Sequence, residues 1–115
     1  MRSFNNIEFE LHDQIVTLWL NRPDKHNAMN AEMISEIIEC VESINEMTEV
    51  RVLLLKGKGK SFCAGADLNY MKGIAEFGFD ENYEDSLKLA KCFNILYTCK
   101  KPTIAVVQGA AIGGA

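Results

Sequence analysis

The sequence is poor in the residues that usually carry reactive chemistry. It has two histidines, His12 and His26, two prolines, Pro23 and Pro102, and one tryptophan. Its four cysteines, Cys40, Cys63, Cys92 and Cys99, form no C-x-x-C pair and have no histidine close by. A zinc centre therefore lacks its ligands, no metal site is expected, and the thiols read as reduced and packed. Gly-x-Ser-x-Gly is absent, which excludes a nucleophile elbow. Gly59-Lys60-Ser61 follows an apolar strand, but Leu54 stands where a phosphate-binding loop needs its first glycine. Glycines 109, 113 and 114 miss the G-x-G-x-x-G spacing of a dinucleotide fold.

Charge of one sign is missing as a patch. Sixteen acidic and twelve basic residues give a net charge of -4, with the lysines and arginines scattered, so nucleic acid is not an expected partner. Long apolar runs are missing too, which argues against a membrane partner. Residues 1–6 do not read as a secretory leader, so a cytoplasmic protein is expected. What remains, 48% hydrophobic and 24% charged residues over 115 positions without a linker or repeat, fits one globular unit spanning 1–115.

Within it, Ile7 to Leu11 and Gln14 to Leu20 alternate apolar and polar residues about Asp13, the pattern of a hairpin with one buried face. A loop, Asn21 to Asn27, follows, and Asn30 is placed to cap a helix from Ala31 to about Met47. There Ile34, Ile37, Ile38, Val41 and Ile44 form the inner stripe and Glu32, Glu36, Glu39, Glu42 and Glu46 the wet face. Arg51 to Lys56 is a short apolar run suited to a strand covered on both sides. A short helix begins near Leu68. A second, capped by Asp80, runs from Glu81 to about Cys99 with Tyr83, Leu87, Ala90, Phe93 or Asn94, and Tyr97 on its stripe, and Thr103 to Val107 is the next buried strand.

Two of these strands end in turns built of small residues, Ala64-Gly65-Ala66-Asp67 and Gly109-Ala110-Ala111-Ile112-Gly113-Gly114. In open α/β sheets the carboxyl ends of strands are where ligands bind. Small residues leave backbone N–H groups bare, so the turns offer hydrogen-bond donors rather than reactive side chains. The plainer reading of the first is a tight loop in which Asp67 caps the helix from Leu68. His26 reads as a solvated loop residue rather than a general base.

Asn21-Arg22-Pro23 with Asn27-Ala28, Phe62 to Leu68, and Lys101 to Gly114, in this order and at these separations, resemble the enoyl-CoA hydratase/isomerase (crotonase) superfamily. The resemblance covers nearly the whole chain. It implies an α/β fold of ββα spiral units, of which this chain is the amino-terminal part of a single domain. It also implies an acyl-CoA thioester ligand whose enolate is held by two backbone N–H groups, those of Ala64 and Gly114, with no cofactor beyond the coenzyme A that enters as part of the substrate. Gly65, Ala66, Asp67, Leu68 and Gly113 fall at substrate-binding positions, and Asp24 and Lys25 at the segment lying along the CoA nucleotide, where Lys25 is either near phosphate or an ordinary surface lysine. A helix starting at Gly113-Gly114 would present its positive end to the same oxygen.

The family's two acid/base glutamates belong after that turn, so the 115-residue chain is expected to be inactive alone, to self-associate, and to come from a trimeric or hexameric parent. The stretch Ala64 to Met71 looks most like members that hydrate branched or methylglutaconyl-type esters. The alternatives are a non-catalytic CoA-binding or oligomerisation module of the same fold, and a small nucleotide-binding α/β domain.

Overall fold

The computed structural model describes residues Met1–Ala115. Strands β1 (Ile7–His12), β2 (Ile15–Leu20), β3 (Val52–Gly57) and β4 (Thr103–Ala105) form one sheet in the order β1-β2-β3-β4. The first pair is antiparallel and the other two parallel. Asp13 and Gln14 adopt φ of 47° and 69°, the left-handed pair that a two-residue hairpin turn requires. Helix α1 (Ala31–Asn45) crosses from β2 to β3, and α2 (Leu68–Ile74) and α3 (Phe79–Tyr97) cross from β3 to β4. No helix is long and apolar enough to cross a membrane.

Alternation puts Val16, Leu18, Leu20 and Leu53 on one face of the sheet, where they meet Met33, Ile34, Ile37, Val41 and Ile44 of α1 in the core. The Asn30 side chain accepts the Met33 N–H at 2.9 Å, capping α1 as its sequence predicts. Burial pushes the Cys40 and Cys92 thiols up to about 12 and about 11, and all four cysteines are free. Tyr70 donates its hydroxyl to Asp85, tying α2 to α3.

Five expectations need correction. Glu36 is not on a wet face: it is 1% exposed, and its carboxylate accepts the N–H groups of Asn5 and Asn6 at 2.6 and 2.9 Å. The amino-terminal segment crosses α1 there, and the buried Asn6 amide needs an acceptor that water cannot supply. β3 is covered by helices on one face only; Val52, Leu54 and Lys56 on the other are half-buried, beside Trp19, whose ring lies under the ammonium groups of Lys56 and Lys58. β4 is three residues long and exposed, with Ile104 at 53%.

Helix α3 begins at Phe79 with Gly78 as its N-cap, so Asp80 lies in the first turn, where its charge suits the helix dipole without a capping bond. It also carries two apolar stripes. Leu89, Cys92, Ile95 and Leu96 meet the core, while Tyr83, Leu87 and Tyr97, the expected inner stripe, point out, Tyr97 being 90% exposed. Spacing identifies a stripe but not which of two is buried. Gly113 and Gly114 lie in a turn closed by Ala115 N–H to Ile112 O at 3.1 Å.

Candidate active site

Three segments distant in sequence meet at the ends of β3 and β4. The two small-residue turns are stitched together by Phe62 N–H to Gln108 O (2.8 Å), Cys63 N–H to Ala110 O (3.1 Å) and Ile112 N–H to Cys63 O (3.1 Å). Gly109 has to be glycine: its φ is +59°, and a Cβ there would fall 2.2 Å from the Lys60 carbonyl oxygen.

The loop after β2 forms the third side. Asn27, wholly buried and left-handed at φ 58°, accepts the Arg22 N–H on Oδ1 and donates from Nδ2 to the carbonyls of Lys58, Ser61 and Phe62 at 2.9 to 3.1 Å. From this frame Met29 N–H donates to Gly65 O at 2.7 Å, and Asp67 N–H to Met29 O at 2.8 Å. Asp67 caps α2 through the Tyr70 N–H at 2.9 Å and pairs with Arg22 at 3.2 Å, both side chains nearly buried. The Tyr70 amide first, and then Arg22, hold its carboxyl below the usual aspartate value of 3.8.

The amides of the two turns divide into occupied and free. The Ala64 N–H, expected as an oxyanion donor, is occupied by the His26 carbonyl at 3.0 Å and acts as another stitch. The Gly65 N–H points at Cys63 Sγ (3.4 Å). The N–H groups of Ala66, Gly113 and Gly114 have no partner in the chain, and all three residues are exposed. Beside Ala66 runs a cleft lined by Lys25, His26, Ala64, Leu68 and Lys72, and neither lysine is in an ion pair. Asp24 is exposed in the 3-10 turn Pro23–Lys25, outside this cleft.

Behind Gly114 lies a small apolar cavity walled by Met29, Phe62, Cys63, Phe93 and Leu96. A Cβ on Gly114 would lie 2.6 Å from the Phe93 ring. Sequence reasoning missed the clamp role of Asn27 and passed over Arg22 and Lys72. The available signal was Asn27 itself, a residue type that tolerates left-handed backbone.

The family model described as enoyl-CoA hydratase/isomerase matches residues 10–115. The chain belongs to the enoyl-CoA hydratase/isomerase family. It is 34% identical to a crotonyl-CoA hydratase of Syntrophomonas wolfei over 97% of its own length and 42% of that protein's. It is 35% identical to the human mitochondrial Delta(3,5)-Delta(2,4)-dienoyl-CoA isomerase over 87% of this chain and 33% of that one. An enoyl-CoA hydratase structure from Shewanella pealeana superposes with a TM-score of 0.94 at 41% identity, covering 96% of this chain and 42% of that one. The sheet and its helices are thus crotonase-fold, and this family member spans well under half the length of these relatives. Hydratase and isomerase names both occur among them.

Proposed function

We propose that this chain supplies the oxyanion-binding half of an acyl-CoA thioester site, with Ala66 and Gly114, rather than Ala64 and Gly114, as the backbone donors. The observation behind the reading is that Ala66 and Gly114 keep free N–H groups on two turns held side by side, whereas the Ala64 N–H is bonded to His26. A thioester enolate concentrates negative charge on one oxygen, and fixed amides stabilise it without reorganising as that charge appears. Lys25 and Lys72 in the adjoining cleft would meet the phosphates of CoA, and the apolar cavity behind Gly114 the acyl chain. The parent protein would then hydrate or isomerise a 2-enoyl-CoA.

In isolation the chain binds such a thioester without turning it over. Asp67 is the one acid lining the cleft, and its carboxylate is engaged by Tyr70 and Arg22, so no free carboxylate is in place to move a proton. Titration of the isotopically labelled chain with butyryl-CoA should move the Ala66 and Gly114 amide resonances together. Perturbation confined to other residues, or hydration of crotonyl-CoA at the rate of an intact hydratase, would refute the reading.

A further inference from the structure

The free Ala66 N–H stands at the end of a continuous chain of hydrogen bonds that begins on a charged side chain. The Arg22 guanidinium donates from Nη1 to the Ala28 carbonyl. That carbonyl shares a peptide plane with the Met29 N–H, which donates to Gly65 O at 2.7 Å. The Gly65 carbonyl in turn shares a plane with the Ala66 N–H. Because a trans peptide holds its C=O and N–H on opposite sides, fixing each carbonyl aims the next N–H onward.

We propose that Arg22 is a positioning residue for the oxyanion site, orienting and polarising the Ala66 N–H through the Ala28–Met29 and Gly65–Ala66 peptide planes. The proposal rests on the reading of Ala66 as an oxyanion donor. Two effects act in the same direction. The relay fixes where the last N–H points, and a positive charge at its head draws electron density along aligned dipoles, making that N–H a stronger donor than an isolated amide. The other arm of the guanidinium, Nη2 to Asp67 Oδ2 at 3.2 Å, anchors Arg22 to the N-cap immediately after Ala66, so one side chain holds both the head of the relay and the residue that follows its last N–H. A part-buried arginine whose fork spans a backbone carbonyl and a carboxylate uses geometry that lysine lacks.

The test compares two ligands on the full chain: acetoacetyl-CoA, whose bound enolate is followed by its ultraviolet band, and butyryl-CoA, which forms none. Arg22→Gln should weaken enolate binding by about tenfold and butyryl-CoA binding by less than about twofold, because only the charged oxygen exploits donor strength. Arg22→Lys, still able to donate to Ala28 O, should stay within about threefold of the parent chain for the enolate.

Without ligand, Arg22→Gln should move the Met29 amide proton upfield, a direct reading of a weakened relay. Equal losses for both ligands, or an unshifted Met29 proton, would leave Arg22 a merely structural residue. Should Arg22→Gln fail to fold, Arg22→Lys carries the test: any loss of enolate affinity must be accompanied by an upfield Met29 amide shift, and an enolate loss with the Met29 proton unmoved would overturn the relay. If the unaltered chain binds neither thioester while the Met29 shift occurs, the thioester-site reading fails and the relay stands.

Discussion

Gly65 and Ile112 touch through backbone alone: a Cβ on Gly65 would lie 2.8 Å from the Ile112 carbonyl oxygen, and Gly65 sits at φ +90°. Replacement by alanine meets both a steric and a conformational obstacle. Gly65→Ala should cost about 2–3 kcal/mol of stability, measured by urea denaturation. Because the displacement parts the two turns, thioester affinity should fall as well, even in conditions where the chain stays folded.

Glu36 satisfies three N–H groups, the two backbone amides and Asn6 Nδ2 at 2.9 Å, from a position sealed from water. Glu36→Ala orphans all of them and should lose about 3 kcal/mol, while Glu36→Gln, which keeps an acceptor, should lose about half as much. Parallel urea curves for the two variants give the comparison. Equal losses would assign the effect to the charged carboxylate with both of its oxygens accepting, rather than to the presence of a single acceptor.

Asp67 makes stability depend on acid. Its carboxyl titrates lower in the folded chain than the ordinary value of 3.8, so its contribution is complete above that value and is lost as the pH falls from there through the lowered folded value. Asp67→Asn should therefore be less stable than the parent at neutral pH and converge with it in acid. Thermal melts from neutral pH down to about pH 2 test the convergence.

The outward stripe of α3 and the β4 edge leave much apolar surface bare, with Phe79 81% exposed and Val106 and Val107 about half exposed. Such a surface favours association between copies. Sedimentation should show concentration-dependent self-association, and Val106→Lys should shift it toward monomer.

Much of this was readable in the residues, and the failures have a common physical origin. The hairpin about Asp13, the cap at Asn30 and the two turns of small residues follow from local rules, and local structure obeys them. Glu36 and the α3 stripes escaped because burial is decided by what packs above an element, not by its own periodicity. Ala64 and Ala66 are indistinguishable by composition. Only the long-range bond to the His26 carbonyl separates an occupied amide from a free one.

The site's construction from residues 21–29, 57–67 and 108–115 also bears on how the chain folds. β3 and β4 pair across a separation of roughly fifty residues, a loop whose closure entropy delays their contact until the intervening helices have docked. The free amides of Ala66 and Gly114 therefore come together late, and a ligand that needs both recognises only the finished chain. Binding would then act as a thermodynamic latch on folding, raising the melting temperature in proportion to the logarithm of ligand concentration.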